Sequence, residues 1–298
     1  MKKLLKLLGI LFVSQLGLAV WLWMPDAPAG FAQSNAALLT FTPADLDEIR
    51  LASGKTDTEE AQSVVLRRQE GRWMVPDYVG MPAGQKKVED FLASLLSLKT
   101  GWPVATTAQS ARRFEVGEDN FQRRIELLDD GKVVATLYLG TSPGLRKVHA
   151  RVPASENTYS VDFAVFNAPV KGKEWSDPAF LHLNEAQITS LHHPQWTIAR
   201  TDETWRLDDL DAGQTSNADA IKSYVGQLAT LGYDEVLGTE DKPEFKLAES
   251  AVQIEASLKD GRTLVYRFAQ PEDNHAVLKR SDDDRYFRIA NFQIGTLL

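Results

Sequence analysis

The sequence predicts an α+β protein built from two tandem copies of one module, each a mostly antiparallel sheet with one main helix. The prediction depends on three landmarks that occur twice in the same order: an arginine-tryptophan strand pair, a helix-like stretch and an aspartate-glycine turn. In the first copy these are Arg68 with Trp73, residues 88–98 and Asp130-Gly131. In the second copy they are Arg200 with Trp205, residues 221–231 and Asp260-Gly261. Counterparts lie 130 to 133 residues apart. Insertions or deletions in the loops alone therefore account for the difference in spacing between the two copies.

The first 24 residues are predicted to form a transmembrane anchor or a signal segment. Three lysines precede an uncharged run at residues 7–24, which as a helix spans about 27 Å and approaches the thickness of a bilayer core. Because positive flanks stay in the cytoplasm, we expect a single-pass inner-membrane protein that inserts through residues 4–24 and has its C-terminal domains in the periplasm. The alternative is a signal peptide cleaved after Ala32.

The rest of the chain is predicted to divide into a tether and two modules. Residues 25–38 are rich in small and polar residues and have no periodicity, which indicates a tether. The first α+β module is expected at residues 39–183 and the second at 184–298. A polar connector at residues 171–178 joins them, and it is so short that the modules are expected to touch.

Period-two alternation and turn signals predict the strands of the first module. These strands are expected at residues 47–51, 64–69, 72–75, 125–128, 133–139, 148–152 and 158–161. Glu70-Gly71 and Asp130-Gly131 mark hairpin turns, because glycine accepts positive φ. Residues 85–99 have apolar side chains at helical spacing and predict the main helix.

The second module is predicted to repeat this order. Its strands are expected near residue 188 and at residues 197–201, 204–207, 252–258, 263–268, 276–279 and 286–289. Asn217 is a candidate N-cap for a helix that ends near Leu231. Strands therefore outnumber helices, and the hairpins predict antiparallel pairing.

Composition excludes several classes of function. The chain has no cysteine, which excludes a disulfide framework, a thiolate metal site and a cysteine nucleophile. Its net charge is −8, and the three lysines among the first 24 residues leave −11 for the remainder. An acidic domain of this kind is a poor partner for nucleic acid and is repelled by anionic lipid headgroups.

No catalytic, cofactor-binding or metal-binding residue is predicted. The five histidines lack ligand spacing, and His192-His193 is their only concentration. Neighbouring strand residues point to opposite faces, so this pair is not expected to chelate one ion. Residues 140–144 are interpreted as a turn rather than an anion site, and the acidic run at residues 282–284 as a solvated turn rather than a calcium loop.

The tryptophans supply the candidates for an interaction surface. Trp73 and Trp205 occupy matched strand positions, which favours packing in the core over ligand stacking. Trp102, Trp175 and Trp196 have no matched counterpart. We therefore expect the interaction surface to involve these three, with Trp175 in the connector as the best candidate.

Several short patterns occur between residues 38 and 181. In order they are Leu38-Leu39-Thr40-Phe41-Thr42-Pro43, Ile49-Arg50-Leu51, Gly71-Arg72-Trp73, the stretch 88–98, Leu139-Gly140, Tyr159-Ser160-Val161 and, more loosely, Trp175-Ser176-Asp177-Pro178 with Leu181. The series resembles the bacterial family known as domain of unknown function 4340. The resemblance implies a membrane-anchored envelope protein, and some relatives are encoded beside gliding-type ABC transporters as auxiliary subunits. It implies no catalytic residues.

These observations favour a periplasm-facing, non-enzymatic interaction protein that contacts a transporter or another envelope component. The alternative is a periplasmic ligand- or polymer-binding protein with its site between the two modules, since pockets form preferentially at such interfaces. A hydrolase is the third hypothesis, although no pairing of a nucleophile with a base is visible.

Overall fold

The computed structural model describes most of the chain that follows the predicted tether. The described residues are 14–15, 35–55, 60–202, 204–208, 210, 215–248, 252–272, 274–295 and 297. The predicted anchor, apart from residues 14–15, and most of the predicted tether lie outside them. Within the described ranges, no helix is long and apolar enough to cross a membrane.

The first half of the chain forms a nine-stranded antiparallel sheet with strand order β4-β3-β2-β1-β6-β7-β8-β9-β5. The strands are β1 Glu48–Ser53, β2 Ser63–Gln69, β3 Arg72–Val75, β4 Met81–Pro82, β5 Pro103–Ala105, β6 Arg123–Asp129, β7 Lys132–Leu139, β8 Lys147–Arg151 and β9 Thr158–Asp162. Helix α1, Gln85–Leu96, lies between β4 and β5 in the chain, and the short helix α2, Ala108–Arg113, follows β5.

The second half forms an eight-stranded antiparallel sheet with order β12-β11-β10-β14-β15-β16-β17-β13. Its strands are β10 Ile188–His193, β11 Trp196–Thr201, β12 Thr204–Leu207, β13 Glu235–Gly238, β14 Val252–Leu258, β15 Thr263–Glu272, β16 His275–Arg280 and β17 Tyr286–Ala290. Helix α3, Gly172–Trp175, follows the last strand of the first sheet and precedes the second sheet in the chain. Helices α4, Ala218–Ala229, and α5, Asn291–Ile294, belong to the second half.

The two sheets have the same strand order. Reading from β12 to β13 retraces the first sheet from β3 to β5, and α4 occupies the chain position of α1. In the described residues β4 has no counterpart. Two mostly antiparallel sheets with few helices make this an α+β protein, as the sequence predicts.

Each main helix covers its sheet with a stripe of apolar residues at helical spacing. In α1 the buried side chains are Val88, Phe91, Leu92 and Leu95, and α4 buries Ile221, Val225 and Leu228 in the same way. The prediction that the first helix extends to residue 99 is wrong. The carbonyl of Leu98 and the N–H of Thr100 instead form hydrogen bonds with the backbone of Leu38 and Ala36, so these two groups are not available to the helix.

The predicted two-residue hairpin turns form in the first sheet. Glu70 and Gly71 have φ of 50° and 81°, and Asp130 and Gly131 have 48° and 71°, as a turn with two left-handed residues requires. The turn around Gly261 differs, because Ser257 pairs with Thr263 and the loop is longer.

The repeated arginine and tryptophan face each other across neighbouring strands. Arg68 is the cross-strand partner of Trp73, and Arg200 is that of Trp205. The guanidinium carbons lie 4.8 Å and 5.8 Å from the ring centroids, within the range of a cation–π contact. Trp73 is 3% exposed and Trp205 is 7% exposed, so both pack in the core, as predicted.

Candidate interaction surface

The connector between the two sheets is anchored in the first core. Trp175 is fully buried, its Nε1 donates to the carbonyl of Pro169 at 2.8 Å, and its ring packs edge-on against Phe91 at 5.1 Å. A side chain that is enclosed in this way cannot contact a partner. The assignment of Trp175 to an interaction surface is therefore corrected: it packs in the core and holds the connector on α1.

The two halves of the molecule contact each other directly. The hydroxyl of Tyr78, in the β3–β4 turn, accepts a hydrogen bond from the backbone N–H of Val236 at 2.9 Å. Arg285 donates from Nη1 to the carbonyl of Gly80 at 3.0 Å. Met81 of β4 is fully buried within the core of the second sheet. The β3–β4 turn therefore joins the first half to the second.

The acidic run at residues 282–284 lies in a turn in which Asp282 and Asp284 are exposed, as predicted, whereas Asp283 is largely enclosed. The side chain of Asp283 is only 9% exposed and forms an ion pair with Arg285 at 2.5 Å. Burial opposes ionisation, but the hydrogen bonds from Arg285 outweigh it and hold the pKa of Asp283 below its usual range. Asp282 pairs with Arg280 at 2.6 Å, and Arg280 also donates to the carbonyl of Leu181.

A groove lies where the connector meets the second half, and we name it the connector groove. It has a volume of about 600 Å³. Its lining residues are Pro178, Ala179, His182, Gln227, Thr230, Leu231, Gly232, Tyr233, Phe292 and Gln293. The lining combines apolar side chains with amides and hydroxyls, and among the described residues that line it the ionisable groups are His182 and Tyr233. The groove therefore favours an uncharged, partly apolar partner segment.

Hydrogen bonds fix the walls of the connector groove. The amide of Gln293 accepts from the backbone N–H of Gly232 at 2.9 Å, and Gln227 donates to the carbonyl of Gln293 at 2.7 Å. The hydroxyl of Tyr233 donates to the carbonyl of Asp177 at 2.8 Å, and burial raises its pKa to about 12. These bonds tie α4, α5 and the connector together.

Phe292 at the border of the groove is 83% exposed. Exposed aromatic residues beside a groove are typical of protein interfaces, because they bury a large apolar area at a low entropic cost. Sequence reasoning missed this site because its residues come from three distant segments. The one available signal was an aromatic residue within the polar triplet Asn291-Phe292-Gln293.

The other two predicted surface tryptophans lie at separate places. Trp102 is 49% exposed and precedes β5 in the first sheet. Trp196 in the second sheet is half-buried, with its ring stacked on His193 at 4.8 Å and edge-on to Tyr224 at 4.8 Å. The structure does not bring the three predicted tryptophans together into one surface.

The two adjacent histidines have different partners, as expected for neighbours on a strand. His192 Nδ1 lies 2.9 Å from the hydroxyl of Thr197, while the ring of His193 stacks on Trp196. Among the described residues, no group of three or more histidine, aspartate or glutamate side chains is placed to hold a metal ion.

A smaller cavity of about 260 Å³ lies on the second sheet. It is lined by Leu237, Lys242, Glu244, Phe245, His275, Val277 and Arg288. Its charges are compensated locally, since Arg288 pairs with Glu235 and His275 lies 3.8 Å from Asp234. This cavity lies within the second half, whereas the sequence predicts a ligand site between the two modules.

The fold and its surface define an α+β protein made of two antiparallel sheets joined by a connector that is anchored through the buried Trp175. The chain belongs to the family described as Domain of unknown function (DUF4340), whose family model matches residues 73–250, more than half of its length. The matched segment begins at Trp73 of the first sheet and ends before β14 of the second. No curated protein and no solved structure matches the chain.

Proposed function

We propose that this protein is a membrane-anchored, periplasm-facing interaction protein without catalytic activity, auxiliary to an envelope complex such as an ABC transporter. The anchor in this proposal is the apolar run at residues 7–24 behind its basic flank. Two copies of one α+β module then form the periplasmic part. The connector groove is the surface at which they contact the partner protein.

The observation that carries the proposal is the exposed Phe292 beside the connector groove. A large aromatic side chain next to a concave, mostly uncharged surface supplies the anchor and the pocket that interface hot spots combine. The groove is open and its walls are fixed by hydrogen bonds, so it can accept a segment of a protein without rearrangement.

The test is copurification of the full-length protein from its native membrane in mild detergent, followed by mass spectrometry. We expect a membrane complex to copurify with the wild-type protein. Phe292→Ser should reduce its recovery, whereas Val133→Ser, which alters another exposed apolar residue, on β7, should not. Recovery of the protein alone, together with turnover of a substrate, would refute the proposal.

The second candidate function is the binding of a small ligand, and the cavity of about 260 Å³ on the second sheet favours it. Its apolar wall around Phe245 suits a small, mostly apolar compound, since the charged groups beside it are paired locally. A thermal-shift screen against such compounds distinguishes the candidates. A hit that Phe245→Ala abolishes, combined with no copurifying partner, would favour the binder.

A further inference from the structure

Three large apolar side chains in the loops of the first half are exposed, two of them strongly and Trp102 by about half. Leu145 is 92% exposed, Phe166 is 78% exposed and Trp102 is 49% exposed. Single exposed apolar residues are common on protein surfaces and need no explanation. What distinguishes these three is that the topology places all of them at one end of the sheet, and we name them the apolar rim.

The strand pairing shows why the rim is at one end. Lys147 begins β8 and pairs with Asp162, which ends β9. Leu145 lies in the turn just before β8 and Phe166 lies just after β9, so antiparallel pairing puts both beyond the same strand ends. Trp102 precedes β5, which runs antiparallel to β9, and therefore lies at that end as well.

The N-terminal part of the chain enters the fold at the same end. Ala37 forms a bridge with Lys99, and Asn35 lines one cavity together with Trp102, Lys147 and Asp162. Residues 25–34 separate Asn35 from the predicted membrane segment. Ten residues reach at most about 36 Å even when fully extended, so an anchor at residues 7–24 keeps the rim near the bilayer.

The charge at this end differs from that of the molecule as a whole. Lys99, Arg146 and Lys147 are exposed beside the rim, and Asp162 pairs with Lys147 at 3.3 Å. The net charge of the chain beyond its first 24 residues is −11, which predicts repulsion from anionic headgroups. With Asp162 set against Lys147, these four groups carry a net charge of +2, which lowers that repulsion locally, where the apolar side chains protrude.

Resting on the proposed membrane anchor, we infer that the apolar rim inserts into the headgroup region of the bilayer that holds the anchor. Tryptophan, phenylalanine and leucine flanked by lysine and arginine form the composition that prefers a membrane interface. Contact at the rim holds the first module against the bilayer, so the tether does not leave it free to rotate.

The chain has no cysteine, so single cysteines can report on each position separately. Full-length Leu145→Cys and Phe166→Cys are labelled with an environment-sensitive fluorophore and reconstituted into vesicles of phosphatidylethanolamine and phosphatidylglycerol. Val133→Cys and Phe292→Cys serve as matched controls, because these residues are also exposed and apolar but lie elsewhere. Unchanged thermal unfolding midpoints verify that the variants fold.

Lipids with a headgroup nitroxide should cause a loss of emission at positions 145 and 166 and leave the two controls unchanged. A blue shift at the rim without quenching would mean that protein, a second copy or the N-terminal segment, covers it, and would overturn the inference. Equal quenching at all four positions would do the same.

Flotation of the vesicles separates this inference from the proposed function. If the protein floats with the vesicles but shows no quenching at positions 145 and 166, the inference about the rim is refuted, while the membrane anchor of the proposed function stands. Protein that fails to float refutes the membrane anchor, and the inference falls with it.

Discussion

At the scale of single residues, the arginine-tryptophan pair explains why its pattern occurs twice in the sequence. In the first sheet Arg68 lies over Trp73 and donates to the carbonyls of Ala44 and Pro43 at 2.7 Å and 3.2 Å. The arginine therefore links the segment before β1 to the hairpin of β2 and β3. The side-chain amide of Gln85 adds two hydrogen bonds to the backbone of Trp73.

Replacing either buried tryptophan should destabilise the protein strongly. We expect Trp73→Ala and Trp205→Ala each to lower the free energy of unfolding by about 3–5 kcal/mol, because each leaves a cavity in a packed core. Urea unfolding followed by circular dichroism measures this. Trp102→Ala is the control, since its half-exposed ring should cost much less. Equal losses at all three positions would contradict the core assignment.

Gly140, the residue that follows β7, is required by a close approach of the backbone. A Cβ atom at this position would lie 1.9 Å from the carbonyl oxygen of Phe114, which cannot move as a flexible side chain would. We expect Gly140→Ala to cost about 1–3 kcal/mol or more through forced backbone shifts. Gly144→Ala is the matched control, because nothing lies within 4 Å of its Cβ position. A comparison of thermal midpoints decides, and equal stability of the two variants would refute the explanation.

At the scale of elements, the two main helices begin in different ways although they occupy equivalent positions. Asn217 caps α4, and its side chain accepts from the backbone N–H of Ala220 at 3.1 Å, as the sequence predicts. Helix α1 has Gly84 at its N-cap, with no side-chain hydrogen bond. Gly84 instead donates its N–H to the carbonyl of Trp175 at 2.9 Å, so the connector stabilises the start of α1.

Removal of the cap of α4 should have a moderate effect. We expect Asn217→Ala to cost about 1 kcal/mol, because the N–H of Ala220 loses its partner. Asn217→Asp keeps an acceptor at the same place and should retain most of the stability. The measurement is the urea midpoint of the purified protein. Loss of stability in both variants alike would show that the side chain acts through another contact.

At the scale of the whole molecule, a few polar contacts join the two halves. Arg285 connects the buried carboxylate of Asp283 to the carbonyl of Gly80, and Tyr78 accepts from Val236. Tyr78 and Gly80 lie just before Met81 in the chain, and Met81 is the residue that the first half contributes to the second core. The halves are therefore joined by a packed interface in addition to the connector.

This interface predicts a dependence of stability on acid. The pKa of Asp283 is held below its usual value of about 3.9, so its ion pair contributes stability that is complete above that value and is lost as pH falls through the folded-state pKa. The unfolding midpoint of the wild-type protein should therefore decrease as the pH is lowered from neutral to about 3. Asp283→Asn should start lower and change less over the same range.

The exposed neighbour Asp284 provides the control for this experiment. Asp284→Asn should keep the acid dependence of the wild-type protein, because its carboxylate faces solvent. Some acid dependence should remain in Asp283→Asn as well. Glu48 is also buried, and despite that burial the hydrogen bonds from Arg67 and Arg50 lower its pKa. Identical pH profiles for the wild-type protein and Asp283→Asn would refute the role of this ion pair.

The sequence by itself determined the features that depend on near neighbours in the chain. It predicted the α+β class, the hairpins at Gly71 and Gly131, both main helices and the Asn217 cap, since each follows from local backbone preferences and apolar periodicity. It did not predict the short strands β4, β5 and β13. These have only two to four residues, and they lack the repeated arginine-tryptophan pattern that predicts the equally short β3 and β12.

Only the tertiary structure decided which side chains face solvent and which are enclosed. Trp175 lies in a polar segment that predicts exposure, yet it is buried because α1 and the carbonyl of Pro169 enclose it. Asp283 pairs with an arginine that also reaches Gly80, about two hundred residues away in the chain. The connector groove likewise assembles three distant segments. Such contacts depend on how distant segments pack against each other. The pattern of residues within one segment holds no information about that packing.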